Sequence, residues 1–294
     1  PHRCAFCAVP AAWPGTYLQR PIDEVIAELS TFEGRNALFI DLSPVEDVEY
    51  AKALYRAMIP LRMRWVGLAT TRIAQDPELL RLAASSGCRG LLIGFEAVSQ
   101  AALNQTNKAF QSVADYADVV ACLHDHGIAI QGCFVFGLDN DDRRVFDQTV
   151  EFVDRVKIDL PRYAVATPFP GTALYRQLDA EGRLLHKNWA LYDVEHVVFR
   201  PKKMSPEALQ EGLEWSWRQS YGWRSFFSRM TAAPWSSLPL WISLNLGYRY
   251  FARRLHEKTG GVAGHPASAD PAALHVPQTA ASPGSTPDSA VSNA

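Results

Sequence analysis

The chain has 294 residues, of which 48% are apolar and 20% are charged, and its formal net charge is −2. This composition is typical of a soluble globular protein, and the lack of a basic excess argues against non-specific nucleic-acid binding. We therefore expect no nucleic-acid partner. The five cysteines are too few and too scattered for a disulfide scaffold, so we expect a cytoplasmic protein. The first residue is proline rather than methionine, which indicates a fragment.

Apolar runs rich in β-branched and aromatic residues alternate with stretches of helical length. Five of these runs predict buried strands, at Ala37–Leu42, Arg64–Thr70, Gly90–Glu96, Ile128–Gly137 and Arg162–Pro168. Alternating strands and helices indicate an α/β fold with parallel strands, and their number favours a barrel or partial barrel. In such barrels the chemistry lies at the carboxyl ends of the strands.

The alternation fades after Gly171, which divides the chain into three predicted parts. Residues 1–171 form the partial barrel, and residues 172–257 form a helical extension in which Ser205-Pro206-Glu207 starts a strong helix. Residues 258–294 consist mostly of small residues and proline, a composition that predicts a disordered tail. Within the extension, residues 223–256 are aromatic and basic. They either lie on a membrane surface or pack as a helix against the barrel.

The first line of the sequence contains a close cysteine pair, Cys4-Ala5-Phe6-Cys7. Alone, a C-x-x-C pair is compatible with half of a zinc site, with a redox pair or with an iron–sulfur site. A zinc site would need two more ligands, and the sequence has no second C-x-x-C pair and no close histidine pair that would supply them.

In its context the pair resembles the second half of the C-x-x-x-C-x-Φ-C motif of radical S-adenosylmethionine (SAM) enzymes, in which Φ is aromatic. The resemblance implies that Cys4 and Cys7 bind two irons of a 4Fe–4S cluster. Phe6 would lie on the adenine side of SAM. The motif's first cysteine would fall immediately before Pro1, so we expect a partial (βα)6 TIM-like barrel that lacks its first strand. The strand at Ala37 should then be an uncovered edge, and the fragment as written should be catalytically impaired.

Segments further along the chain are similar to SAM-binding segments of the same family. Gly94-Phe95-Glu96 resembles the segment whose polar residue contacts SAM, and Lys108 stands where many members place a cation for the SAM carboxylate. The strand with Gln131 resembles the one that packs along the adenine. Asp41 and Arg72 end neighbouring strands. Structural alternatives stay open: an ion pair for Asp41 and Arg72, a solvated helix for Lys108 and a backbone partner for Gln131.

Two segments of the extension, Pro168–Thr172 and His196–Pro201, are similar to a subgroup that usually carries an N-terminal cobalamin-binding domain. This resemblance implies a cobalamin-dependent C-methyltransferase acting on a lipid or tetrapyrrole-like small molecule. Its cobalamin would sit on a domain missing from this sequence, and flavodoxin or ferredoxin would donate electrons. A radical SAM cyclase, oxidoreductase or methylthiotransferase is the alternative enzyme, and a non-catalytic remnant of the fold is the alternative from another class.

Overall fold

The computed structural model of the protein describes residues 4–12, 18–42, 44–105, 111–234 and 238–260. At its centre lies a parallel sheet of five strands in the order β1-β2-β3-β4-β5, curled into a half-barrel. The strands are β1 (Asn36–Leu38), β2 (Arg64–Ala69), β3 (Cys88–Glu96), β4 (Ala129–Phe136) and β5 (Leu160–Val165). The predicted fold class is therefore confirmed, and each strand lies in or beside its predicted run.

Helices connect the strands and continue after β5. They are α1 (Val9–Ala12), α2 (Ile22–Leu29), α3 (Val48–Met58), α4 (Pro77–Ser85), α5 (Gln100–Gln105), α6 (Tyr116–Asp125), α7 (Arg144–Val156), α8 (Ala173–Ala180), α9 (Pro206–Ser220), α10 (Trp223–Met230) and α11 (Leu238–Thr259). Two of their starts follow directly from the sequence. Asp76 accepts a hydrogen bond from the N–H of Leu79 at 3.0 Å, and Ser205 accepts one from the N–H of Ala208 at 3.2 Å. Proline follows each of these caps as the first helical residue.

The two faces of the sheet differ in burial because successive strand residues point to opposite sides. One face is covered by helices and holds a continuous aromatic core, in which Phe136 stacks on Tyr163 and Trp217 packs edge-on against Tyr163. The other face, which we call the concave face, carries half-buried or exposed side chains such as Leu68, Gln131 and Arg162. The concave face is therefore the open interior of the half-barrel.

Strand β1 is the end strand of the sheet within the described residues, and the prediction of an edge near Ala37 is confirmed. Large apolar side chains at this edge are exposed to solvent: Leu38 in the strand is 67% exposed, and Ile40 just beyond it is 75% exposed. Strand β1 is also shorter than the predicted run, because after Phe39 donates its N–H to the carbonyl oxygen of Val66 the chain leaves the ladder.

The extension packs on the last strand rather than standing apart. Helix α9 lies against α7 and β5, and α11 lies against α9. The indole of Trp217 donates to the carbonyl oxygen of Tyr163 at 3.1 Å, and one hydrophobic cluster contains residues of the barrel and of the extension. The boundaries at 171 and 257 stay a prediction. Most of the tail predicted to be disordered, from residue 261 onward, lies outside the described residues.

Candidate active site

All five strands run in the same direction, so their carboxyl ends meet at one edge of the half-barrel, which we call the mouth. Three of the residues predicted from the sequence lie here. Asp41 follows β1, Arg72 follows β2 in a 3₁₀ turn (Thr71–Gln75), and Glu96 is the last residue of β3. Asp41 and Arg72 are exposed, whereas Glu96 is only 8% exposed. The mouth thus combines a buried carboxyl with polar residues open to solvent.

Glu96 has a backbone conformation that L-amino acids rarely adopt. Its φ is +64°, and the pairing of β3 with β4 is irregular between Gly94 and Glu96. A non-glycine residue in the left-handed region costs free energy, and such strain concentrates at functional sites. The structure therefore holds this carboxyl in a position that the strand alone would not give it.

Two polar side chains bind the backbone that leads into Glu96. Gln111 donates through Nε2 to the carbonyl oxygen of Gly94 at 3.1 Å. The Tyr116 hydroxyl donates to the carbonyl oxygen of Phe95 at 2.7 Å, and it also lies 3.0 Å from Gln111 Oε1. Burial raises the pKa of Tyr116, and the charge of Glu96 raises it further. These two residues satisfy the carbonyls that the irregular pairing releases. Neither residue was predicted from the sequence, because the carbonyl groups they bind become available only in the folded sheet.

The turn after β4 forms another part of the mouth. Gly137 has a φ of +93°, and a Cβ there would lie 2.7 Å from Leu209 Cδ2, so only glycine fits. The N–H groups of Gly137 and Leu138 both donate to Asp141 Oδ2 at 3.0 Å. Burial outweighs these bonds and raises the pKa of Asp141 to about 6. Asp141 fixes the shape of this turn and was not singled out from the sequence.

The cysteine pair lies on a tight turn joined to the carboxyl side of the sheet. The N–H of Cys7 donates to the carbonyl oxygen of Cys4 at 3.1 Å, and both cysteines are half-buried and form no disulfide. The carbonyl oxygen of Ala5 accepts a hydrogen bond from the N–H of Leu174 at 2.9 Å, in the first turn of α8 after β5. Phe6, between the cysteines, is half-buried. This hydrogen bond links the cysteine turn to the segment that follows the last strand.

The described residues fit part of an iron–sulfur and SAM site. Two thiols on one turn are the ligand type that iron–sulfur clusters take, although the described chain brings no group of three potential metal ligands together. The motif's remaining cysteine position precedes Pro1 and lies outside the sequence. At the end of β2, the buried Oγ1 of Thr70 has no hydrogen-bond partner among the described residues. A polar ligand in the mouth would satisfy that hydroxyl group.

Two further predicted residues are placed differently. Gln131 is near the amino end of β4, on the concave face, and its Nε2 donates to the hydroxyl of Tyr248 on α11 at 2.7 Å. The partner of this half-buried amide within the chain is thus a tyrosine of the extension. Lys108 lies outside the described residues.

Comparisons with known proteins agree with this arrangement. Residues 1–153 match the Radical SAM superfamily. Bacteriochlorophyllide d C-12(1)-methyltransferase of Chlorobaculum tepidum is 33% identical over 240 residues, which are 80% of this chain and 52% of that protein. Bacteriochlorophyllide d C-8(2)-methyltransferase of the same organism is 24% identical over 246 residues, 80% of this chain and 54% of that protein. The chain thus spans about half the length of these relatives.

Solved structures show the same fold. The radical SAM methyltransferase TsrM of Kitasatospora setae, with cobalamin and a 4Fe–4S cluster bound, superposes with a TM-score of 0.59 at 17% identity, over 89% of this chain and 59% of its own. The cobalamin-dependent SAM radical enzyme OxsB, with aqua-cobalamin and SAM bound, gives a TM-score of 0.55 at 11% identity, over 85% of this chain and 44% of its own. The half-barrel, the cysteine turn and the family match over residues 1–153 together show that this chain belongs to the radical SAM superfamily.

Proposed function

We propose that this chain is the core of a cobalamin-dependent radical SAM methyltransferase that methylates a carbon of a tetrapyrrole. The observation that carries the proposal is the 33% identity to a bacteriochlorophyllide d methyltransferase over 80% of the chain. The aligned length of 240 residues exceeds the 171 residues of the predicted barrel, so the similarity extends beyond the predicted barrel.

Within this proposal, the residues of the mouth take separate roles. Cys4 and Cys7 would hold two irons of the cluster, which when bound supplies the electron for reductive cleavage of SAM. The carboxyl of Glu96 would accept hydrogen bonds from SAM hydroxyl groups, and its strained backbone would keep it aimed at them. The proposed SAM-binding set is Phe6, Asp41, Arg72, Glu96, Lys108 and Gln131. Flavodoxin or ferredoxin would be the reductant, and the cobalamin would be bound by another domain.

The concave face supports a large apolar substrate. Its strand positions carry mainly half-buried aliphatic and small side chains, and the polar exceptions include Arg64, Gln131 and Arg162. Glu96, the acid that ends β3, lies at the mouth rather than in the middle of the sheet. A flat macrocycle could cover such a surface without burying a carboxylate, which would be costly unless it were paired.

A product analysis tests the proposal. The full-length protein, reconstituted anaerobically with iron and sulfide and supplied with SAM, methylcobalamin and reduced flavodoxin, should convert bacteriochlorophyllide d to a product heavier by one methylene. A relative, the anaerobic magnesium-protoporphyrin IX monomethyl ester cyclase of Cereibacter sphaeroides, is 23% identical over 236 residues. Ring closure on magnesium-protoporphyrin IX monomethyl ester, with no methylation of any tetrapyrrole, would replace the methyltransferase proposal by a cyclase.

Metal analysis tests the cluster ligands independently of the substrate. We expect the reconstituted full-length protein to bind about four irons per chain. Cys4→Ala and Cys7→Ala should each abolish SAM cleavage, whereas the control Cys122→Ala should retain it, because burial raises the pKa of that thiol and disfavours the thiolate. Full SAM cleavage by Cys7→Ala would refute the assignment.

The extension suggests a second proposal, contact with a membrane surface. None of the described helices is both long enough and apolar enough to span a bilayer. However, Trp223 is 51% exposed and Phe227 54%, both on α10, and Tyr250 on α11 is 62% exposed. The guanidinium of Arg249 lies 4.2 Å from the Trp223 ring centroid, and Arg253 and Arg254 are exposed nearby in sequence. Exposed aromatics beside arginines suit the headgroup region of an anionic bilayer.

Vesicle flotation tests this contact. The full-length protein should float with phosphatidylglycerol-containing vesicles and not with neutral phosphatidylcholine vesicles, and Trp223→Ser with Phe227→Ser should abolish flotation. The matched control is Trp189→Ser. Trp189 is 43% exposed but lies outside α10 and α11. Flotation that is equal for both variants and the wild type would dismiss the proposal.

A further inference from the structure

Arg162 is a cation inside the half-barrel. It is the third residue of β5, and its neighbours Pro161 and Tyr163 are buried under the helices. Because strand residues alternate between faces, the Arg162 side chain projects from the concave face, where it is exposed. An arginine at this position lies within the barrel wall rather than on the outer surface of the protein.

The surroundings of Arg162 are apolar or small. In the register of the sheet it pairs with Cys133, and the next concave pair toward the mouth is Val135 with Ala164. Leu68 and Leu92 occupy concave positions on β2 and β3. Toward the amino end, the concave residue Gln131 already donates to Tyr248, so that side is closed by α11.

Arg162 has no acidic neighbour on this face. On β5 and its neighbour β4 the concave positions carry no Asp or Glu, and Glu96, which ends β3, lies one strand further away. No ion pair or hydrogen bond joins the Arg162 side chain to another described residue. In contrast, Arg183 and Arg229 elsewhere in the extension each lie within ion-pair distance of an aspartate. A guanidinium presents a planar fork of donors that matches a carboxylate. An unpaired fork in an apolar hollow is therefore suited to a ligand that is apolar over most of its surface and carries one carboxylate.

We infer that Arg162 is the carboxylate subsite of the substrate pocket, and that it binds the free propionate of a chlorophyllide-type tetrapyrrole whose macrocycle lies on the concave face. The inference rests on the proposed function, and it narrows the substrate class from tetrapyrroles in general to those with an unesterified side-chain acid. It also excludes substrates without an anionic group, such as a plain polycyclic hydrocarbon.

Binding of one pigment in two forms tests the subsite. The probes are pheophorbide a, which has one free propionic acid, and its methyl ester, each titrated by fluorescence into the full-length protein with SAM present. The wild type should bind the acid at least about tenfold more tightly than the ester, as expected for one charge-assisted contact. Arg162→Gln should weaken binding of the acid by about tenfold and leave the ester unchanged, and Arg162→Lys should retain part of the preference.

The control is Arg64→Gln. Arg64 is also an exposed arginine at a concave position, but it begins β2 at the amino end of the sheet. This variant should keep the wild-type preference for the acid, and both variants should bind SAM as the wild type does.

The outcomes separate the subsite from the function. A preference for the acid that persists in Arg162→Gln would overturn the subsite while leaving a tetrapyrrole substrate in place. Weaker SAM binding by Arg162→Gln with unchanged pigment binding would also overturn it, because the guanidinium would then serve the SAM carboxylate. A wild type that cleaves SAM but binds neither pigment would overturn the proposed function and the subsite together.

Discussion

Gln131 of the barrel and Tyr248 of the extension, 117 positions apart, are joined by a 2.7 Å hydrogen bond from the amide Nε2 to the phenol oxygen. The bond ties α11 to the concave face near the amino end of β4. Just below it, Asn245 on the same helix donates to the carbonyl oxygen of Asp159, which precedes β5. Helix α11 is therefore attached to the interior of the half-barrel by side chains one turn apart.

Removing the phenol hydroxyl should loosen this attachment. Tyr248→Phe is expected to lower the free energy of unfolding by about 1 kcal/mol, because the half-buried amide of Gln131 loses its partner. Gln131→Leu should cost a similar amount, and the double variant should cost less than the sum of the two single variants. Urea titration measures all three, with the exposed Tyr250→Phe as a control expected to change stability by less than about 0.5 kcal/mol. Strict additivity would show that the bond does not contribute.

Glycine at position 96 should separate backbone strain from SAM binding. Glu96→Gly relieves the positive φ and should be more stable than Glu96→Ala by about 1 kcal/mol. Both variants lose the carboxyl, so both should bind SAM at least about tenfold more weakly. Thermal unfolding and calorimetric SAM titration of the full-length protein measure the two effects.

The control for position 96 is Arg62→Gly. Arg62 also has a positive φ, 49°, but it is an exposed residue that ends the 3₁₀ turn at Ile59–Leu61. Glycine there should stabilise the protein without altering SAM affinity. Unchanged SAM binding by both Glu96 variants would remove Glu96 from the proposed site.

Asp141 should make stability depend on pH between about 4 and 6. Its pKa is raised by burial from 3.8 to about 6, so in this range the folded protein retains a proton that the unfolded chain has released. The stabilisation is complete below the unfolded value and is lost as pH rises through the folded value. Asp141→Asn keeps an oxygen to accept the N–H groups of Gly137 and Leu138 but cannot ionise. Relative to the wild type, its melting temperature should therefore rise from pH 4 to pH 7.

The neighbouring carboxyl provides the matched control. Arg144 lowers the pKa of Asp142 to about 2, so Asp142 stays ionised in both states above about pH 4. Asp142→Asn should shift the melting temperature by nearly the same amount at pH 5 and pH 7, because the charge of Asp142 is only a minor cause of the raised pKa of Asp141. A flat difference for Asp141→Asn would mean that Asp141 is not protonated in this range.

Two helical glycines should respond in opposite directions to alanine. A Cβ on Gly212 in α9 would lie 2.1–2.5 Å from three ring atoms of Phe146 in α7, whereas one on Gly247 in α11 would meet nothing within 4 Å. Gly212→Ala should destabilise the protein by about 1–3 kcal/mol through overpacking. Gly247→Ala should stabilise it by up to about 1 kcal/mol through helix propensity. Equal effects of the two substitutions would contradict the close packing of α7 and α9.

The sequence was most informative where local chemistry decides structure. Apolar runs predicted all five strands, and the Ser-Pro-Glu pattern predicted the start of α9. The motif resemblance identified the family through Cys4 and Cys7. The alternation of strands and helices also placed Glu96 at a strand end, since a strand end is a local property.

Features that depend on distant partners could not be predicted. The partner of Gln131 lies on a helix whose packing the sequence does not predict. The buried carbonyls bound by Gln111 and Tyr116 arise only because β3 and β4 pair irregularly. Arg162 was noted only as the start of a strand. Its isolation became visible once the residues facing it across the sheet were known.

Helix α11 carries Tyr248 and Tyr250 on nearly opposite sides, one bonded inside the half-barrel and the other 62% exposed. An α-helix with its side chains is about 10–12 Å across. If lipid headgroups lie against the outer side, a pigment dissolved in the bilayer starts about one helix width from the hollow in which Arg162 would hold it. Over so short a path, a poorly soluble macrocycle would avoid most of the unfavourable free energy of exposing its apolar surface to water.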